Sequence, residues 1–488
     1  MFLNQGGFDM LGRSAEQLHT PAQLASATDC CVELRLDGLV LVGGRHTLTD
    51  TAVLAEHFSN TIACNTRVIA VPSSIERDIA HPLIETTAGF DTVTRVLASL
   101  IANIATDGRS AKKYWYFIRL PGRDTSHITL EAAARSQPNI VLLAEEVVKR
   151  GMNLRGVVTY VSDIICQRAA VGKNYGVFVL PEGLISAIPE LATLVNDINA
   201  LMATDGPSSD GGERSGLMSC EEAAEALAKA TPWSAATFRS FPARVQSQLL
   251  LEREVHGTVQ LSQIELERLL DELVGSELER RREAGTYVGK YSALCHYFGY
   301  QARSALPSIF DANLGFTLGM TAAALLAAGG DVSGSVAIAR GLIKPVAEWS
   351  VGAVPVTSLL TVTAHDALKY AGAGSTAMYG SMGLRAVSSW SVAARGVSLS
   401  GRPYQLLAQQ REDWGVNDLY LNPGSTQFAG SSSKIISYTL TEEQSTLLES
   451  MARIQDQCSD LVRMCHQAYT PDLLEAAALQ LEANYTHV

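Results

Sequence analysis

The sequence predicts an α/β chain built on parallel sheet, on three observations. Short apolar strands alternate with helical segments of about 10–15 residues through the first half, the spacing of βαβ units. Tyr114-Trp115-Tyr116-Phe117-Ile118-Arg119-Leu120 is one nearly continuous apolar strand. Leu39-Val40-Leu41-Val42 runs into Gly43-Gly44 and then a helix, and in open parallel sheets ligands sit at such carboxyl ends of strands.

In chain order, Pro21 to Leu34 reads as a helix, Leu36 to Val42 as a strand, Asp50 to Phe58 as a helix and Thr66 to Val71 as a β-branched strand. Phe90 to Ile104 is a long amphipathic helix and Tyr114 to Leu120 a strand. Ile128 to Ser136 is a helix; Ile140 to Leu143 and Tyr175 to Leu180 are strands. The Gly- and Ser-rich run Gly206 to Gly212 predicts a mobile loop. It leads into Cys220 to Ala284, dense in Leu, Glu and Arg, which reads as an inserted helical subregion; the charges of Glu277 to Glu283 form a solvated face. Strands resume at Ser292 to Phe298 and Val336 to Ala339, and helices dominate Glu442 to Asn484, with no internal repeat.

A length of 488 residues exceeds one comfortable core, so two or more domains are expected, and 47% apolar residues suffice to pack them. The net charge of −12 and pI near 5.4 argue against a nucleic-acid or anionic-membrane partner. No secretory leader pattern opens the chain. The longest apolar stretches are short or broken by Gly, below the ~20 residues of a spanning helix. Cys30, Cys31, Cys64, Cys166, Cys220, Cys295, Cys458 and Cys465 show no CxxC spacing, which predicts reduced thiols in a cytoplasmic protein.

Five strand ends carry candidate chemistry. A phosphate-handling turn usually has an acid after its glycines to hold magnesium, but Arg45 and His46 follow Gly43-Gly44 here, leaving them able to hold an anion directly. Pro72-Ser73-Ser74-Ile75-Glu76-Arg77-Asp78 places a carboxylate in a polar turn, suited to a general base. Arg123 in Leu120-Pro121-Gly122-Arg123 can grip an anion, and Glu182 in Pro181-Glu182-Gly183 can accept from sugar hydroxyls. Phe298-Gly299-Tyr300-Gln301-Ala302-Arg303 offers a second arginine. Taken singly, a strand-end Arg or Glu is more often a surface ion pair.

In order along the chain, these motifs resemble the phosphofructokinase superfamily, specifically its long pyrophosphate-dependent branch. The resemblance also takes in Asn4 to Arg13, Leu54-Ala55-Glu56, Gly89-Phe90-Asp91-Thr92, Ser126-His127, Gln260 to Glu265 and Asn422-Pro423-Gly424, covering nearly the whole chain. It implies two doubly wound α/β domains facing across a cleft. The first would be residues 1–112 plus about 304–358, and the second 113–303 with a helical insertion at about 206–290. Residues 359–488 would be mostly helical and pack on the second domain.

The resemblance also assigns residues. Catalytic members follow the glycine pair with two acids, the first serving Mg2+; Arg45 and His46 replace both. Their base loop reads P-K-T-I-D-G-D-L-K, so Glu76 stands in the base position one methylene longer, and Ser73 and Ala80 replace its lysines. Ser74, Arg123, Glu182, Tyr300 and Arg303 fall at sugar-phosphate positions, and Arg303 or Arg119 would complete a neighbouring subunit's site. The family's first βα phosphate loop precedes Asn4 to Arg13, so the sequence given lacks it and an unpaired strand edge or apolar patch is expected, with low order near Met1 to Gly12. Mg2+ binding is thus placed in doubt.

Three readings stay open: an active pyrophosphate-dependent phosphofructokinase, a non-catalytic subunit like the regulatory α type that binds fructose 6-phosphate or a fructose bisphosphate beside a homologous catalytic subunit or in a homo-oligomer, and a truncated or decayed copy. The losses fall on the donor side and spare the sugar side, which favours the second.

Overall fold

The protein, studied as a computed structural model, is described at residues 12, 18, 20–79, 81–204, 219–251, 259–363, 389–392 and 394–423. The Asn4 to Arg13 motif (Gly12 apart), the Gly206 to Gly212 loop and the Glu442 to Asn484 helices lie outside the described residues, as does Ala80.

Ten strands are described: β1 (Gly38–Gly43), β2 (Arg67–Pro72), β3 (Trp115–Leu120), β4 (Ile140–Val141), β5 (Gly176–Pro181), β6 (Ala293–Tyr297), β7 (Ser335–Arg340), β8 (Ser350–Pro355), β9 (Leu360–Thr363) and β10 (Ser389–Val392). One sheet has the order β1-β2-β7-β8, parallel except for the β7–β8 hairpin; a second has the order β4-β5-β3-β6, parallel throughout. β9 and β10 pair antiparallel on their own.

Alternation along each strand explains why both sheets are covered twice. In the first sheet Ile69, Val71, Ala337 and Ala339 pack on helix Ile309–Ala328 through Phe310, Leu314 and Leu318. The intervening Ala70, Val336 and Ile338 meet Leu48 of helix Arg45–Ser59 on the other face. In the second sheet Tyr116, Ile118, Val177 and Val179 cover helix Phe90–Ala111, while Trp115, Phe117, Phe178 and Leu180 face the large helical core that includes Leu266–Glu283. All six residues of β3 and of β5 are buried.

A buried carboxylate joins the two layers. Asp311, at the start of helix Ile309–Ala328, accepts from the Gly89 and Thr92 backbone N–H groups at 3.0 and 2.7 Å. It thereby caps helix Phe90–Ala111, whose entry at Gly89 has φ 103°. Ser308 Oγ donates to Asp91 Oδ2 at 2.7 Å.

Several expectations are revised. The helix after Gly44 begins at Arg45 rather than Asp50, which puts Arg45 and His46 in its first turn. Helix Ile309–Ala328 runs straight through Gly315 and Gly319; among the described residues it is long and apolar enough to cross a membrane by length and composition alone, and 33% of that window is buried. Glycine keeps its backbone N–H and C=O in the hydrogen-bond ladder, so each costs only about 1 kcal/mol against Ala, and a Cβ at either would meet open space. Phe316 and Met320 on that outer side are 72% and 57% exposed, and Val42 of β1, whose described neighbour is β2 alone, is 57% exposed. The segment from 359 opens with the β9–β10 pair, whose Val392 packs with Leu48 beside the first sheet, and not with helix. Helix Arg402–Val416 follows, with Leu407 and Trp414 packed on Leu130 and Val141 beside the second sheet.

That last helix is pinned by Arg168, which is fully buried and donates to Tyr175 O at 3.0 Å, Val416 O at 3.1 Å and Asp418 Oδ1 at 2.8 Å. Arg168→Ala should therefore cost about 3 kcal/mol in urea unfolding, since it strands buried carbonyls and the Asp418 charge together.

Candidate functional site

The carboxyl ends of β1, β2, β3, β5 and β6 supply the loops in which the candidate residues lie. Ser73 N–H donates to Gly43 O at 2.8 Å, joining the ends of β1 and β2. The chain then turns tightly. Ser74 Oγ accepts from the Glu76 N–H at 3.2 Å and donates to Asp78 Oδ1 at 2.7 Å. Arg77 takes φ 52° and its guanidinium donates to Glu85 O, so the turn is fixed from below. Gly43 is required because a Cβ there would lie 2.2 Å from Thr47 Oγ1.

Glu76 reaches the loop after β3, where the Arg123 and Asp124 N–H groups donate to its two carboxylate oxygens at 3.2 and 3.4 Å. Thr125 Oγ1 adds a bond to Glu76 O at 3.2 Å. The first sheet's candidate base is thus held by backbone of the second sheet. Burial, then the nearby Asp78 and Asp124 charges, push the Glu76 carboxyl up to about 7, against the opposing pull of the Arg123 N–H.

Arg45 fills the space between these acids. Its Nε donates to Asp78 Oδ2 at 2.5 Å, its Nη2 pairs with Asp124 Oδ2 and its Nη1 lies 3.4 Å from Val392 O. Asp78 is buried and Asp124 exposed. A cation in the first turn of a helix opposes the helix dipole; the two carboxylates more than offset that. The expectation that Arg45 would hold an external anion is therefore corrected, because its guanidinium is spent on its own chain. His46 is exposed in the same turn.

These residues do not fit the divalent metal that catalytic family members would carry. Of the two positions after the glycine pair one is a paired cation and the other an exposed imidazole, and among the described residues no three Asp, Glu, His or Cys side chains converge as a ligand set. No chemical step is routed through a metal here.

In the second group of candidate residues, Glu182 follows β5, is buried, and accepts from Tyr297 Oη at 3.3 Å, with Arg119 Nη1 at 3.9 Å. Burial raises its carboxyl pKa above the ordinary range, while Arg119, the Tyr297 hydroxyl and Arg123 pull it back. The Gly183 N–H donates to Gly122 O at 2.9 Å, locking the β3 and β5 loops together. Tyr300 is 54% exposed, stacks edge-on against Tyr297, and carries the exposed Arg303 guanidinium 5.3 Å above its ring. Gln263 Nε2 donates to Tyr300 Oη at 3.4 Å. Arg119, by contrast, is 2% exposed, with Nε on Glu267 Oε2 at 2.5 Å and its guanidinium 4.0 Å over Tyr297. It is committed within its own chain, so the idea that it serves a neighbour is corrected.

Ser74, Glu76, Arg123, Gly43, Gly44, Arg45 and Ser73 thus form one cluster, with Glu182, Tyr300 and Arg303 grouped beside it; Ala80 lies outside the described residues. Three residues were not singled out from sequence. Asp78 stood in the motif that supplied Glu76, and Asp124 directly follows Arg123. Tyr297 ends a strand, and nothing in the sequence marks its contact with Glu182.

Two outcomes test this geometry. A Cβ on Gly183 would lie 2.3 Å from Arg123 O and 2.8 Å from Gly122 O, so Gly183→Ala should lose about 2 kcal/mol in urea titration. Folded Glu76 keeps a proton that the unfolded chain releases above its value of 4.5, so it lowers stability progressively as pH rises from there through about 7. Glu76→Gln should match the parent near about pH 4 and exceed it by up to about 3 kcal/mol near about pH 8, on urea curves at both values.

The family profile described as phosphofructokinase matches residues 2–326. Pyrophosphate–fructose 6-phosphate 1-phosphotransferase subunit alpha 1 of Arabidopsis thaliana is 37% identical over 490 aligned residues, 100% of this chain and 75% of that one. The subunit beta of Solanum tuberosum is also 37% identical, over 91% of this chain and 72% of its own. The Treponema pallidum enzyme is 38% identical, over 88% of this chain and 70% of its own. Among solved structures, the pyrophosphate-dependent phosphofructokinase of Nitrosospira multiformis aligns with 70% of this chain and 64% of its own, at 13% identity and a TM-score of 0.41. The chain therefore spans about three quarters of the first of these relatives and just under two thirds of that solved chain. Identity is the same to the alpha and the beta subunit types, so it does not separate their roles.

Proposed function

The chain belongs to the phosphofructokinase family, and from that premise we propose that it is a non-catalytic, sugar-phosphate-binding subunit of a pyrophosphate–fructose 6-phosphate phosphotransferase. One observation carries the reading: the donor-side cluster is closed by Arg45 between Asp78 and Asp124, while the sugar side keeps Arg123, Glu182, Tyr300 and Arg303. Removing a charge clamp on a transferring phosphoryl group costs several kcal/mol of transition-state stabilisation. Binding a phosphate ester needs only the arginines and the hydroxyl acceptors.

In this proposal the two sheets are the cores of the two domains inferred from sequence, and fructose 6-phosphate or a fructose bisphosphate occupies the sugar side. Arg123 grips the phosphate, Glu182 accepts from sugar hydroxyls, Ser74 and Tyr300 line the group, and Arg303, facing solvent, contributes to the same or an adjacent copy. The partner is a homologous catalytic subunit, or a further copy of this chain, in the cytoplasm. An active enzyme with a divergent site is the second reading. Glu76 favours it, because a carboxyl near 7 suits general-base work at neutral pH.

Two measurements decide. Purified chain with pyrophosphate, fructose 6-phosphate and Mg2+ should turn over at least about 1,000-fold more slowly than the Treponema pallidum relative; comparable turnover would establish the second reading instead. Fructose 6-phosphate at about 100 times its Kd should stabilise the chain by about 2.7 kcal/mol in thermal melts, an effect that Arg123→Ala and Glu182→Gln remove. No stabilisation by fructose 6-phosphate or fructose 2,6-bisphosphate would leave the binding role without support.

A further inference from the structure

We propose that Arg45 is the resident cation of the donor side: its guanidinium stands in for the divalent ion and couples the strand-end loops of the two sheets without any metal. Three placements carry this. Arg45 leaves the end of β1 and pairs with Asp78 on the loop after β2 and with Asp124 on the loop after β3. It therefore bridges, with one positive charge, a carboxylate from a loop of each sheet. Glu76 stands in the same group, its oxygens held by the N–H groups of Arg123 and Asp124. Finally, Nη1 lies against Val392 O, so the β9–β10 pair closes over the guanidinium.

The chemistry is that of a cation substitution. Asp78, Asp124 and Glu76 carry up to three negative charges at the meeting point of two loops, and such a group is held together by protonation of one member or by a positive charge among them. A hydrated divalent ion would supply two charges and hold oxygen ligands at about 2.0–2.1 Å. The guanidinium supplies one charge that never titrates, and it is covalently tethered, so no ion need be recruited from solution. Its planar fork reaches two acids at once. The parent chain should accordingly be indifferent to divalent ions, and removing the arginine should open a demand for one.

The test uses the full chain, Mn2+ as the probe, and two readouts, thermal melting by circular dichroism and the loss of free-Mn2+ electron paramagnetic resonance signal. Parent protein and Arg45→Lys should show no change of melting temperature between EDTA and millimolar MnCl2, and no stoichiometric Mn2+ binding. Arg45→Asp should melt lower than the parent in EDTA, recover in MnCl2, and bind about one Mn2+ at least about tenfold more tightly than the parent. Adding Asp124→Asn to Arg45→Asp should abolish that binding.

Arg45→Gln covers the case in which Arg45→Asp does not fold, and is expected to show the same Mn2+ response more weakly. The inference is overturned if the parent binds Mn2+ in a manner that Asp124→Asn removes. It is equally overturned if folded Arg45→Asp and Arg45→Gln gain nothing from Mn2+, or if both stay unfolded with and without it, because an ion then does not replace the guanidinium. The inference extends the reading of the donor side given above, yet the two fail separately. Sugar-phosphate stabilisation tests that reading, and Mn2+ response tests this one.

Discussion

Carboxylates gathered at the carboxyl ends of parallel strands must be neutralised, and the rest of the site follows from how this chain does it. Parallel strands deliver loops to one edge of each sheet, and here those loops bring Glu76, Asp78 and Asp124 together. With no compensating positive charge their mutual repulsion would push the β2 and β3 loops apart. A guanidinium from the first turn of the next helix provides it. Ser74 and Arg77 set the turn that presents the acids, and the N–H groups after Gly122 hold the third. The second group of candidate residues is anchored separately, through Glu182, Tyr297 and the buried Arg119–Glu267 pair.

Much of the fold could be read from the chain because its strongest signals are local. β3 and β5 are continuous apolar runs buried along their whole length, and the helices between them carry clear apolar faces. The failures are local signals overridden by packing. Gly315 and Gly319 look like breaks, but helix Ile309–Ala328 continues through both. β8 contains Gly352 and ends at Pro355, so its pairing with β7 is set by register rather than propensity. The early start of helix Arg45–Ser59 depends on the Gly43-Gly44 turn and on ion pairs that span 33 and 79 residues of sequence.

The candidate site was legible to the same extent. Strand-end position singled out Glu76, Arg123 and Glu182 as candidates, and the fold brings their loops together. It could not find Asp124 or Tyr297 as participants, nor foresee that Arg119 is saturated by Glu267, a partner 148 residues away. Sequence supplies the kind of group at each loop; only the fold says which groups meet, and a cation and an acid that meet cancel functions that each would offer alone.

The shared guanidinium also constrains how this chain can change. Two aspartates share one arginine, so the effects of substitutions at positions 45, 78 and 124 depend on the order in which they occur. Neutralising either aspartate first leaves Arg45 partly free, a tolerable state near solvent. Losing Arg45 first leaves the acids facing one another, a state relieved by taking up a proton or an ion. A route toward an ion-holding site must keep both aspartates, so it begins at the strained step, the loss of Arg45. A neutral step at either aspartate eases the later loss of Arg45 but removes an oxygen ligand that an ion would need, so the first substitution decides which sites stay within reach.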